Sequence, residues 1–164
     1  MNESMRAYSS ILFASAAMLL GACTSYDHSF IKDVADIPLK TIDEPDTDWF
    51  SSPLRSHAKY VLYGAESRRE MEDCLGDYYF VTWYDAEPAK PAKLVMRYTQ
   101  AATGAKELST ERTYPTARQE ADSHTERFFF TGDERRSKGD VLTWRMELYV
   151  DGKLVDSKQS YLWE

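Results

Sequence analysis

The sequence predicts an all-β fold, a single antiparallel β-sandwich of about seven strands standing behind a leader and an acidic tether. Three observations carry this. In "VLTWRMELYV", Leu142, Trp144, Met146, Leu148 and Val150 alternate with the residues between them, the period-two pattern of a half-buried strand. Asp151-Gly152 follows directly, and such a pair between alternating segments marks a hairpin, because both turn positions need positive φ. Upstream, short aromatic and β-branched segments are separated by the turn clusters "AEPAKP", "ATG" and "GDERRSKGD".

From the N-terminus, residues 1–22 differ in kind from the rest. Glu3 and Arg6 precede "ILFASAAMLLGA", residues 11–22, which has no charge and a single hydroxyl residue. A stable bilayer-spanning helix needs about 20 apolar residues, so this run is too short to span and has the form of a secretory signal. Leu20-Gly21-Ala22-Cys23 ends it and resembles the lipobox of bacterial lipoproteins. That resemblance implies cleavage before Cys23, a diacylglyceryl group on its thiol and further acylation of the new N-terminus. Several acyl chains matter, because one alone gives only marginal membrane binding. Thr24 and Ser25 stand where enterobacterial lipoproteins held at the inner membrane carry aspartate, so the same resemblance implies the outer membrane in a host that has one.

Removing 22 of the 164 residues leaves 142, a natural size for one domain, with the whole net charge of −7 retained. The charge is uneven. Residues 24–52 hold seven acids against two lysines, with Pro38 and Pro45 as breakers, and are read with Cys23 as a partly extended, lipid-anchored tether over 23–52. "FIKDVADIPL" and the pair Trp49 and Phe50 argue that this tether is not wholly without structure; Trp49 and Phe50 are expected to dock on the domain over 53–164. With no basic face to neutralise phosphates, nucleic acid is not an expected partner.

Within the domain, strands are expected over 57–64, 77–85, 92–100, 106–114, 125–132, 141–150 and 153–163. The segment 65–74 reads either as a short helix, with Arg68/Glu72 and Arg69/Asp73 four residues apart, or as an exposed charged loop or strand. The final hairpin is similar to the last two strands of immunoglobulin-like and fibronectin-type-III-like domains, where a Gly-Asp enters a Trp-bearing strand. The cysteine pair of antibody domains is missing, since Cys74 would be the one thiol left in the mature chain.

No catalytic constellation stands out. His28, His57 and His124 lack metal-ligand spacing, and no nucleophile elbow, phosphate loop or dinucleotide fingerprint occurs, so no catalytic residue, metal or cofactor is assigned. Cys74 in "MEDCLG" sits beside Glu72 and Asp73, whose charge disfavours a thiolate, and reads as a packing thiol or one that links chains. Acid pairs such as Asp85/Glu87 and Asp133/Glu134 are expected from composition, and "TIDEPDTD" lacks the glycine and loop length of an EF-hand. The aromatics are less ordinary. In "YYFVTWY", Tyr79, Val81 and Trp83 take one face of a strand and Tyr78, Phe80 and Tyr84 the other, where a sandwich strand should be polar. Residues 128–130, "FFF", raise the same question. The second aromatic face needs a cover: Trp49 and Phe50 of the tether, a protein partner, or a stacked glycan. Tyr78, Phe80, Tyr84, Trp49 and Phe50 are therefore the candidate interaction patch. Together with the lipobox resemblance, this points to a lipid-anchored protein of the bacterial cell envelope acting as a non-catalytic binding or assembly module. An envelope hydrolase and a structural subunit of a larger envelope complex are the alternatives.

Overall fold

A computed structural model of the chain describes residues 26–42, 52–115 and 122–163. Seven strands form two antiparallel sheets. One holds β1 (Phe30–Asp36), β2 (Gly76–Asp85) and β5 (Asp122–Thr131) in the order β1-β2-β5. The other holds β3 (Ala92–Gln100), β4 (Leu108–Tyr114), β6 (Val141–Val150) and β7 (Lys153–Gln159) in the order β4-β3-β6-β7. The sheets face each other as a sandwich, with a core of alternate residues from both: Tyr79, Val81 and Trp83 of β2 meet Leu94 and Met96 of β3 and Met146 and Leu148 of β6. At one flank β1 lies over β7, where the Ile31 backbone N–H donates to Asp156 Oδ2 at 2.8 Å. At the other, Tyr114 Oη of β4 donates to Glu126 Oε2 of β5 at 2.7 Å.

The all-β sandwich and the strand count agree with the sequence, but the membership of the set differs. Of residues 57–64, expected as a strand, 57–62 belong to helix α1 (Ser52–Leu62) and 63–64 form the turn after it. Leu54, Ala58, Val61 and Leu62 recur at helical spacing, Pro53 suits a first turn, and Gly64 at φ 88° follows the end. The missing strand is recovered in β1, which lies inside the stretch read as a tether. Ile31 and Val34 face the core and Leu39 bridges to Gly76, so residues 30–39 are part of the sandwich. The short-helix alternative for 65–74 is the observed one: α2 (Arg68–Asp73) starts at a capping box in which Ser67 Oγ accepts from the Glu70 N–H and Glu70 Oε2 accepts from the Ser67 N–H. The turn cluster at 132–140 contains a third helix, α3 (Gly132–Lys138), with acids in its first turn and bases in its last. β7 ends at Gln159, earlier than expected, and Tyr161 is fully exposed beyond it.

The hairpin turn is as read from sequence, with Asp151 at φ 51° and Gly152 at φ 74°. That turn, the loop 86–91 and the start of β1 gather at one end of the sandwich. The Asp151 N–H donates to Pro91 O at 2.8 Å and the Ala86 N–H to Ser29 Oγ at 2.9 Å. The helices α2 and α3 and the loop 101–107 occupy the opposite end. Among the described residues no helix is long and apolar enough to cross a membrane.

Candidate interaction surface

β2 has aromatics on both faces, and the two faces have different cover. Tyr79, Val81 and Trp83 point into the core, while Tyr78, Phe80, Thr82 and Tyr84 point outward. Tyr78 is nonetheless only 7% exposed. Helix α1 lies over this end of the face, with the His57 ring edge-on to Tyr78 at 4.9 Å and to Phe80 at 5.4 Å. Tyr78 Oη donates to the Cys74 carbonyl oxygen at 2.6 Å. Burial, then the neighbouring Cys74, pushes the phenol up to about 12. At the other end of the strand, Tyr84 is covered by Tyr26 at 5.1 Å and Phe30 at 5.9 Å, with Lys32 Nζ above its ring. Much of the outer aromatic face is thus closed from within the chain, by α1 and by the residues that lead into β1. Trp49 and Phe50 lie outside the described residues.

The apolar surface left open is a neighbouring one. Phe128 and Phe130 of β5 turn into the core, and Phe129 between them turns outward with 53% exposure. Across from it on α1, Tyr60 is 64% exposed. Arg127, two residues before Phe129 on β5, donates from Nη1 to Tyr60 Oη at 3.2 Å with its guanidinium 5.6 Å from the Tyr60 ring centre. Among the described residues Arg127 has no carboxylate within ion-pair distance. Two open hollows flank this cluster. One of about 380 Å³ is bordered by Tyr60, Phe80, Arg112 and Phe129, and one of about 320 Å³ by Tyr60, Cys74, Tyr78 and Phe129. Such a surface can stack planar or apolar groups on its rings and offer a guanidinium to an anionic one.

The sequence flagged "FFF" but not which ring would face out; strand alternation about the two buried neighbours settles that. Tyr60 was hidden by the strand reading of 57–64, since only a helix places it beside β5.

The remaining polar candidates are accounted for by local partners. Burial, then Asp73 and Glu70, push the Cys74 thiol up, away from thiolate. His57 is held low by burial and by Arg127, and among the described residues its Nε2 has no hydrogen-bond partner. His124 lies against Trp83, with Nε2 3.8 Å from the fully buried Asp85. Glu72 pairs with Arg68 at 3.1 Å, Asp133 with Arg136 at 2.6 Å and Glu134 with Lys138 at 3.0 Å, while Glu87 pairs with Lys90. Among the described residues no three His, Cys, Asp or Glu side chains gather as a metal site. The acidic "TIDEPDTD" run lies largely outside the described residues.

No family model matches the chain, no curated protein matches its sequence and no solved structure matches its fold.

Proposed function

We propose that the protein is a lipid-anchored component of the bacterial cell envelope whose sandwich binds a protein partner, without catalysing a reaction, through the surface of Tyr60, Arg127 and Phe129. The single observation that carries the binding reading is that surface. Two exposed rings on neighbouring elements accompany a guanidinium that has no carboxylate partner among the described residues, and exposed patches of this kind mark interaction sites. The anchoring reading rests on Leu20-Gly21-Ala22-Cys23 behind a charged start and an apolar run. The sandwich is also read as immunoglobulin-like. The first, second and fifth strands share one sheet and the fourth, third, sixth and seventh the other, an order that supports a match to strands A-B-E and C′-C-F-G of such domains. The helical segment between β1 and β2 departs from that plan.

The test is crosslinking in cells that carry a photoreactive residue in place of Tyr60. A discrete protein adduct in the membrane fraction is expected. Phe129→Ser should abolish it while shifting Tm by no more than about 2 °C, as for an exposed position. Cys23→Ala should release the chain from the membrane fraction. No adduct would sink the binding reading, and membrane retention of the Cys23→Ala chain would sink the anchor.

A further inference from the structure

The geometry points to a defined pose on the membrane: we infer that the sandwich sits directly on the bilayer surface through the end that carries Tyr26, the loop 86–91 and the Asp151-Gly152 turn. This deepens the anchoring reading above and rests on it. The argument is one of chain length. Tyr26 is already packed on the sandwich, its ring 4.9 Å from Phe30 and 5.1 Å from Tyr84. Cys23 is three residues earlier. Three residues reach at most about 11 Å even when fully extended. A lipid on Cys23 therefore leaves no leash: whatever conformation residues 23–25 adopt, the bilayer interface lies within that distance of Tyr26.

The same end has the chemistry to rest there. Tyr26 is 49% exposed, an aromatic ring with a polar tip of the kind that settles at a membrane–water interface. Leu154 and Val155, just past the turn, are exposed apolar side chains, and Lys153 beside them is exposed as well. Lys32 and Lys90 are lysines of the same end, which also carries the acids Asp27, Glu87, Asp122 and Asp151. The binding surface is set by the same pose. β3 runs from the loop 86–91 to the loop 101–107, and its nine residues separate those loops by about 30 Å. Phe129, paired with Tyr78 near the far end of β2, is held well above the membrane, where a partner can reach it.

The experiment uses the full chain, extracted from membranes with its lipid and returned to vesicles of phosphatidylethanolamine and phosphatidylglycerol that contain a nitroxide-headgroup lipid. Cys74→Ser removes the one free thiol, since lipidation blocks Cys23. A fluorophore is then placed through Ala89→Cys, in the near loop, or through Ala105→Cys, in the far one; both alanines are exposed. Quenching is expected to be several-fold stronger from the Ala89 position. Equal quenching, or stronger quenching from the Ala105 position, overturns the pose while leaving the anchor intact. Intact mass of the same preparation separates the two: a chain with no diacylglyceryl group on Cys23 overturns both.

Discussion

Glu147 lies on the outer face of its sheet, yet only 7% of its side chain is exposed. Arg97 Nε donates to its Oε2 at 3.0 Å and Tyr149 Oη at 2.8 Å, and Arg145 approaches at 3.3 Å. Burial raises its pKa, but these hydrogen bonds and the two guanidinium charges win, and the carboxyl is held below its ordinary value of 4.5. A depressed carboxylate contributes stability that is present above the unfolded value and lost as pH falls through the folded one. Stability should therefore decline as pH falls below about 4.5, and Glu147→Gln should flatten that limb. At neutral pH the same change should cost about 1–3 kcal/mol, since it weakens charge-assisted bonds to two arginines and leaves them partly buried. Urea unfolding at a series of pH values checks both; an unchanged acid limb would remove Glu147 from the account. The sequence shows Arg145, Glu147 and Tyr149 as one polar face. It could not show that Arg97, 50 residues before Glu147, completes the cluster, because that depends on the pairing of β3 with β6.

Helix α1 is held on the outer face of β2 through His57, which is 8% exposed and, among the described residues, has no hydrogen-bond partner at Nε2. Burial, then Arg127, lowers the pKa of the imidazole from 6.5. A histidine buried neutral is easier to protonate in the undocked state, so stability is full above about 6.5 and falls as pH drops towards the lower folded value. The protection factors of the α1 amides, which divide out the intrinsic exchange rate at each pH, should accordingly fall as pH drops below about 6.5, while the strands stay protected, and His57→Phe should remove that dependence. A pH-independent protection factor in α1 would count against it. β3 and β6 were legible through their period-two alternation and β2 through its aromatic and β-branched residues, because each of these signals lies within one segment. α1 was not, since "HAKYVLYG" is rich in strand formers when viewed from His57 onward. Its helical spacing begins three residues earlier, at Leu54, behind Pro53. α3 was obscured by its lack of apolar residues, which leaves charge placement as its one signal.

At the scale of the molecule, the sandwich is closed by a strand that composition assigns elsewhere. Acids and prolines make residues 24–52 look like a tether, and a tether can be cut without loss. The structure instead places Ile31 at 2% exposure and Leu39 at 4%, and ties Leu39 to Gly76 by paired backbone bonds of 2.8 and 2.9 Å. Ile31 is cross-strand partner to Trp83, the largest fully buried side chain of the core. Removing β1 would strip the paired edge from β2 and open the flank above β7. The lost burial of Ile31 and Leu39 alone amounts to about 3–6 kcal/mol. The whole stability of such a domain is about 5–15 kcal/mol, so the loss of two side chains and a strand of backbone bonds is enough to unfold it. A chain beginning at Tyr26 should therefore unfold cooperatively on heating, and one beginning at Asp43 should show no cooperative transition. Equal midpoints for the two would restore residues 26–42 to the role of tether and would also take away the short reach from Cys23 to the sandwich. The edge strand and the proposed membrane pose stand or fall together, because both rest on the same packing, Tyr26 on Tyr84 and Ile31 beside Trp83, which ties the segment to β2.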